Sequence, residues 1–174
     1  MKAYPCHRAE ARLVPSVPAE VLMQSRRCDV LAISSPGGHW VELTRLFPAF
    51  EGMTVEYATT DAGRGIDVPA GRLHVFEDAN KRTPWRLVVC AWQILSLVAR
   101  YRPRVIVTTG AAPGFIAAVF GKMLGARTVW IDIFGLVERM TLSGRMVKPF
   151  ADVHLVQWPH LARPNGPHYR GSLL

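Results

Sequence analysis

Short apolar runs alternate along this chain with longer stretches of helical period. Asp29 to Ser34 reads as a buried strand, and Trp40 to Phe50 as an amphipathic helix with Leu43, Leu46, Phe47 and Phe50 inward. Thr54 to Thr59 and Arg72 to Phe76 read as two further short strands. The stretch between them, Asp61 to Ala70, is rich in Gly, Asp and Pro and reads as a loop. Pro84 opens a long helix through Arg100, with proline in the first turn, where it is tolerated. Val105 to Thr108 is the next strand, followed by Gly110 and a second Pro-opened helix, Pro113 to Leu124. Arg127 to Ile131 is another strand. A loop and a short helix then lead to Val153–Val156, read as the final strand and closed by Gln157-Trp158-Pro159. Strands that are apolar throughout and alternate with helices predict an α/β fold, a parallel sheet covered on both faces.

Ligands of such sheets bind at the carboxyl ends of the strands. Three loops are expected there: Ser35 to His39, Thr109 to Gly114, and Asp132 to Ser143. The first is the most informative, reading VLAISSPGGHWVEL from Val30 to Leu43. Gly37 and Gly38 permit a tight turn and close backbone approach. The helix that follows points free N–H groups at the loop, which favours an anion such as a phosphate. His39 then places a titratable imidazole beside that anion site. The plainer reading is a strand-to-helix turn with an exposed histidine, and the motif alone does not choose between them.

At 174 residues the chain fits one domain. A hydrophobic content of 49% against 20% charged residues excludes a disordered chain. The mean hydropathy of +0.13 is somewhat high for a freely soluble protein. A formal charge of +8 fits contact with nucleic acid, anionic lipid or a phosphorylated ligand. The arginines carry no aromatic-interleaved motif, which sets nucleic acid aside. Cys6, Cys28 and Cys90 are odd in number and widely spaced without a CxxC, a pattern of a reducing compartment that argues against a zinc site. Residues 1–28 lack the apolar core of a signal peptide and hold Pro5, Pro15 and Pro18 among several arginines. They read as a flexible leader, with Met23 a candidate alternative start, ahead of a domain over 29–174.

The long helix is apolar from Leu87 to Ala99 apart from Gln93 and Ser96, well short of the ~20 residues a membrane span needs. Lys81, Arg82 and Arg86 flank it on one side, and Arg100, Arg102 and Arg104 on the other. Trp85 and Trp92 suit headgroup depth. A helix docked on an anionic membrane surface has this pattern; so does a buried helix with basic ends.

The run TLSGRMVKPFADVHLVQWPHL, with Ser143-Gly144, Asp152, Gln157 and Trp158 at their spacing, closely resembles one family. That family also carries a Gly-Gly-His turn after its first strand, then an acidic or amide residue and Leu, as Glu42 and Leu43 stand here. It is the membrane-anchoring, acceptor-side subunit family of the two-chain UDP-N-acetylglucosamine transferase of lipid-linked oligosaccharide synthesis. Bacterial relatives act in capsule and exopolysaccharide synthesis. The resemblance runs from about Val30 to the last residue. Three features depart from it: Pro36 stands where a small residue is common, Asp132 where many members have Glu, and Thr109 to Gly114 only loosely matches an Asn-Gly-Pro-Gly segment.

The resemblance implies a Rossmann-like domain, the N-terminal half of a GT-B glycosyltransferase split across two polypeptides. The implied partner is a donor-binding subunit that forms a heterodimer and holds the UDP-sugar, leaving this chain without a bound cofactor or metal. The implied acceptor is a polyprenyl-diphosphate-linked saccharide, and the implied location is the cytoplasmic face of the membrane. The length leaves no room for both halves, and the chain stops at Tyr169-Arg170-Gly171-Ser172, near where a single-chain relative would cross to its second domain.

Glycosyl transfer to a hydroxyl needs a base near working pH, and an ordinary histidine at ~6.5 qualifies. His39 is the first candidate, for base or acceptor positioning. Asp132 follows, to orient the acceptor or act as base, and Glu138 is third. Gly37, Gly38 and Gly110 are expected to offer backbone N–H groups to an acceptor diphosphate. Ser143-Gly144 is expected to cap the short helix. Trp158 and Gln157 are expected at the partner interface, and Trp85, Arg86, Trp92 and Arg100 at the membrane. His154 reads as structural; His160 and His168 read as loop or tail residues without partners. Two rivals stand beside this reading. A self-sufficient nucleotide-binding enzyme lacks both Gly-x-Gly-x-x-Gly and an acidic residue ending the second strand, where Thr59-Thr60 sits. A non-catalytic membrane scaffold differs only in whether His39 and Asp132 matter to turnover.

Overall fold

A computed structural model describes residues 27–69, 71–78 and 84–173. The first part of the expected leader, with Cys6 and Met23, and the basic residues Lys81 and Arg82 lie outside the described residues. Cys28 lies inside them and belongs to the core: it is buried, donates its N–H to Tyr101 O and accepts from Arg104 N.

The strands are β1 (Val30–Ile33), β2 (Val55–Thr59), β3 (Arg72–Val75), β4 (Val105–Thr108), β5 (Arg127–Ile131), β6 (Val153–Val156) and β7 (His168–Tyr169). They form one parallel sheet in the order β3-β2-β1-β4-β5-β6-β7. The helices are α1 (Gly38–Thr44), α2 (Pro84–Tyr101), α3 (Ala111–Met123) and α4 (Leu142–Met146). Alternation along the strands divides the core in two. Leu31, Ile33, Ala58 and Ile106 meet Cys90, Ile94, Leu97 and Val98 of α2 and Ala117 of α3. Val30, Ala32, Val55, Tyr57 and Val107 meet Trp40 and Leu43 of α1 with Phe47 and Phe50. Helices therefore cover both faces, and the central strands β1 and β4 are apolar on both sides because little of either side sees water, whereas β3, β6 and β7 toward the edges carry exposed residues.

Three elements differ from the sequence expectation. The predicted helix Trp40–Phe50 is two elements, because α1 ends at Thr44 and a 3-10 turn, Phe47–Phe50, follows. Pro48 has no N–H to give to a continuing α-helix, whereas it fits the first turn of a new one. Inside the predicted loop Asp61–Ala70, a 3-10 turn spans Ala62–Asp67, capped by Asp61 accepting from Gly63 N. Its far end is held by Trp40 Nε1 donating to Asp67 at 2.8 Å. Val153–Val156 is not the last strand, since β7 adds to its far edge through Leu155↔His168 and Val156↔Tyr169.

The sheet order reverses between β1 and β4. Neighbouring connections leave those two strands toward opposite faces, which opens a crevice at their carboxyl ends. This is where the Gly-Gly-His loop and the loop after β4 come out.

Candidate functional site

The glycines after β1 let the chain reverse into α1. Gly37 has φ +78°, a left-handed value that suits glycine, and both Gly37 and Gly38 are exposed. The turn delivers His39 to the first turn of α1. Its Nδ1 lies 2.7 Å from Thr109 O, and Thr109 Oγ1 donates back to His39 O at 2.7 Å. These paired bonds lock the β1 loop to the β4 loop across the crevice. With Nδ1 facing a carbonyl, Nδ1 carries the proton and Nε2 is left as the basic nitrogen.

Gly110 is placed differently from expectation. It is buried, and its N–H is donated to Thr108 Oγ1 at 3.1 Å, so it is spent inside the loop rather than offered to an anion. Its role is spatial. With φ +113° it permits the turn, and a Cβ there would lie 3.2 Å from His39 Cε1. The next residue, Ala111, starts α3 at φ +61°, a strained value for a residue with a Cβ.

The third loop comes from β5. Asp132 is 3% exposed, and its carboxylate accepts from Thr141 N at 2.9 Å and from Thr141 Oγ1 at 2.6 Å. Thr141 in turn is the N-cap of α4, accepting from Gly144 N at 2.8 Å. The expected capping by Ser143-Gly144 is thus carried out by Thr141, and Gly144 instead leaves room for Asp132. Glu138 is exposed on the outer part of this loop. Leu136, Val137, Leu142 and Met146 around it are exposed as well, giving the rim an apolar character.

Glu42, which the sequence singled out only as part of the family pattern, proves to be a buried member of the site. It is 3% exposed and one turn beyond His39, accepting from Phe134 N at 3.0 Å and from Gln157 Nε2 at 2.5 Å. Burial pushes its carboxyl above the ordinary range, and the bonds from Phe134 and Gln157, with the nearby His39, only partly oppose that. No periodicity marks it, since a lone carboxylate on a short helix reads as solvent-facing until the loop above it is known.

Gln157 was expected at a partner surface; it is instead buried, donating to Glu42 and to Asp132 O at 3.0 Å while accepting from Leu173 N at 2.8 Å. Trp158 is half-buried, stacked on Phe134 with ring centres 4.6 Å apart and donating Nε1 to Phe134 O at 2.8 Å. His160 and His168 do have partners: His160 Nε2 is 2.6 Å from Val137 O, and His168 pairs with β6. His154 is buried beneath this edge with Nε2 unpartnered, and burial lowers its pKa.

The site therefore gathers His39, Thr109, Gly110, Asp132, Thr141, Glu42 and Gln157 at one end of the sheet. Trp85, Arg86 and Trp92 lie elsewhere, on α2. Trp85 is 59% and Trp92 66% exposed, with Leu87 and Val88 between them also exposed and Arg86 lying over the Trp85 ring. Arg100 does not border this patch. It is half-buried over the Tyr101 ring, about 22 Å along the helix from Trp85. Among the described residues no helix is long and apolar enough to cross a membrane.

Known proteins resemble this chain in fold or in sequence. MurG from Acinetobacter baumannii superposes with a TM-score of 0.66 at 11% identity, covering 83% of this chain and 45% of that one. A crystal structure of UDP-N-acetylglucosamine 2-epimerase gives 0.61 at 10% identity, over 76% of this chain and 42% of that one. The chain thus spans under half the length of either structure. The likeness fixes the fold, an α/β half of the GT-B kind. In sequence, the UDP-N-acetylglucosamine transferase subunit ALG14 of Eremothecium gossypii is 28% identical over 166 residues, covering 77% of this chain and 74% of that protein. The subunit of the same name from Yarrowia lipolytica is 34% identical over 74 residues, 39% of this chain and 34% of that protein. The family model for Alg14-like oligosaccharide biosynthesis proteins matches residues 68–173, which hold the β4 loop, Asp132, Thr141, Gly144 and Gln157. With more than half its length inside that match and the Gly-Gly-His turn packed on it, the chain belongs to the Alg14-like oligosaccharide biosynthesis family.

Proposed function

We propose that this chain is the acceptor-side subunit of a split GT-B glycosyltransferase. It binds a polyprenyl-diphosphate-linked saccharide and brings a donor-binding catalytic subunit to the cytoplasmic face of the membrane. The observation that carries the reading is the locked pair His39–Thr109 at the carboxyl ends of β1 and β4. The pairing orients an imidazole with its Nε2 as the basic nitrogen beside the exposed Gly37-Gly38 turn. A diphosphate suits that turn, and the imidazole suits the acceptor hydroxyl that must lose a proton as it attacks the anomeric carbon. The relatives' own description as subunits of a UDP-N-acetylglucosamine transferase supports a UDP-sugar as donor; in this reading the partner holds that donor and this chain holds no cofactor.

In this reading Asp132 orients rather than takes up the proton, because its carboxylate already accepts two bonds from Thr141. Glu138 stays on the rim as an outer contact to the acceptor. Trp158 and the apolar residues Leu136, Val137, Leu142 and Met146 supply the partner-facing wall, and the exposed Trp85–Trp92 face of α2 supplies peripheral membrane contact. A purely scaffolding role is the second reading, favoured by the internal use of both buried carboxylates.

Co-expression with the donor-binding subunit, co-purification and a membrane transferase assay test the proposal. His39→Ala in an intact complex is expected to lower turnover about 10²-fold or more, the usual contribution of a positioned base. Unchanged turnover leaves the scaffold reading; full activity of this chain alone overturns the split-enzyme reading.

A further inference from the structure

Glu42 and Gln157 tie together four pieces of chain that are remote in sequence. Glu42 Oε1 accepts from Phe134 N on the β5 exit, and Oε2 accepts from Gln157 Nε2 at the end of β6. The same Nε2 donates to Asp132 O, and Gln157 Oε1 accepts from Leu173 N in the carboxy-terminal segment. Both amide hydrogens and the amide oxygen are therefore committed, and turning the amide over would place oxygen against Glu42 and Asp132 O. Each bond fixes the next.

A buried carboxylate is an expensive way to fill space between a helix and a loop, and apolar packing would stabilise more. What a carboxylate adds is direction. Its two oxygens each meet one donor, so α1 and the 132–134 turn can sit in only one register. His39 is one turn before Glu42 on the same short helix, and Asp132 starts the same turn. Any slip between the two pieces separates His39 from the Asp132–Thr141 loop.

We propose that Glu42 is a positioning residue: through Phe134 N–H and the Gln157 amide it fixes the β5 exit loop against the helix carrying His39, and Leu173 sets that amide from the opposite side. The carboxy-terminal segment thereby controls the geometry of the crevice without entering it. The proposal rests on the reading of this crevice as the acceptor site, but its structural half can be tested without turnover.

The experiment compares the full chain with Glu42→Gln, with Glu42→Gln/Gln157→Glu, and with a chain lacking residues 172–174. In Glu42→Gln the new NH2 has to face either the Gln157 NH2 or Phe134 N–H, donor against donor in both cases. The double exchange restores a donor–acceptor pair at that contact and keeps an acceptor for Leu173 N, at the cost of setting a carboxylate oxygen against Asp132 O. Amide exchange over residues 133–141 is expected to quicken at least about tenfold in Glu42→Gln and in the shortened chain. The His39 ring resonances are expected to move in both. The double exchange should recover part of the protection, because only the contact between positions 42 and 157 is restored. In the reconstituted transferase, KM for the lipid-linked acceptor should rise about tenfold in Glu42→Gln, with kcat changed less than threefold. Unchanged exchange over 133–141, or a double exchange no better than the single one, overturns the proposal. So does loosened exchange with an unmoved His39 signal. A wild-type pair that transfers no sugar sinks the functional reading alone and leaves the exchange and resonance results to decide the relay.

Discussion

Alanine normally stabilises a helix relative to glycine, by about 1 kcal/mol. At Gly144 in α4 the sign is expected to reverse. A Cβ built there would lie 2.7 Å from Asp132 Oδ2, 2.8 Å from Oδ1 and 2.9 Å from Cγ, flat against the whole carboxylate. A free side chain would swing away at little cost. Asp132 is not free, because it is 3% exposed and pinned by Thr141 N and Thr141 Oγ1. Room for the methyl group comes only by giving up those bonds, each worth about 1.5–3 kcal/mol to a charged acceptor. Partial loss of both, less the helix gain, gives a net destabilisation of about 2–4 kcal/mol for Gly144→Ala. For a domain of this size a loss of about 3 kcal/mol lowers Tm by about 6–12 °C. Urea unfolding with a paired Gly135→Ala control measures it; Gly135 has nothing within 4 Å of a built Cβ, so about 0.5 kcal/mol or less is expected there. The stronger arm is the cycle with Asp132→Ala. Without the carboxylate, Gly144→Ala should become neutral or stabilising. A Gly144→Ala variant as stable as the parent, or one that loses as much in the Asp132→Ala background, would refute the steric argument.

Other consequences follow from burial and exposure. Burial first, then Lys148 and His168, depress the His154 imidazole pKa, with Asp132 opposing. The unfolded chain then binds more protons than the folded one as pH falls below about 6.5. Stability is therefore expected to be level above that value and to decline on acidification toward the folded-state pKa, and His154→Phe should flatten the decline in urea midpoints. Burial pushes the Cys28 and Cys90 thiols up to about 12. Neither should react with iodoacetamide at pH 8 until the chain unfolds, as peptide mass mapping would reveal; rapid native labelling of either contradicts the core placement. Trp85→Gln/Trp92→Gln should weaken binding to anionic vesicles at least about tenfold while leaving the Tm within a few degrees, since both rings are mostly exposed. Equal sedimentation with vesicles would remove α2 from the membrane contact.

The strands β1 and β4 were legible because each is a compact apolar run buried, or nearly so, on both faces of a parallel sheet, and β5 and β6 because each is a short, mostly apolar run bounded by loop residues. The helices α2 and α3 were legible because their proline signals sit in a first turn. What local pattern could not supply was anything defined by a distant partner. His168–Tyr169 is a strand only because β6 leaves an edge open beside it. The break after α1 depends on Pro48, which was readable, but the continuing apolar period of Leu46, Phe47 and Phe50 outweighed it. In the site, Gly-Gly-His and Asp132 were readable because glycine and titratable groups at strand ends are informative by type. Glu42 and Gln157 were not readable as a pair, since the burial that makes them matter comes from Phe134 and Leu173, far along the chain.

The glycines of this edge carry a further lesson about motif reading. Gly37 is exposed and turns the chain, which is the role a phosphate-loop reading assigns to it. Gly110, Gly114 and Gly144 do something else. A Cβ at Gly110 would press on His39, one at Gly114 would lie 2.1 Å from Thr108 Oγ1, and one at Gly144 would strike Asp132. In each case a polar side chain occupies the space that a methyl group would need, and in all three that side chain is bonded to the backbone of the loop that holds or precedes the glycine. Glycine at these positions is thus required by polar groups inside the protein, independently of any ligand. The Ser-Gly element is informative for the same reason: it records the packing of α4 onto Asp132, and through Thr141 it sets where that carboxylate can point. A motif of this kind identifies the chain's fold and loop geometry more directly than it identifies a ligand contact, which leaves His39 and the exposed Gly37-Gly38 turn as the part of the pattern that chemistry must explain.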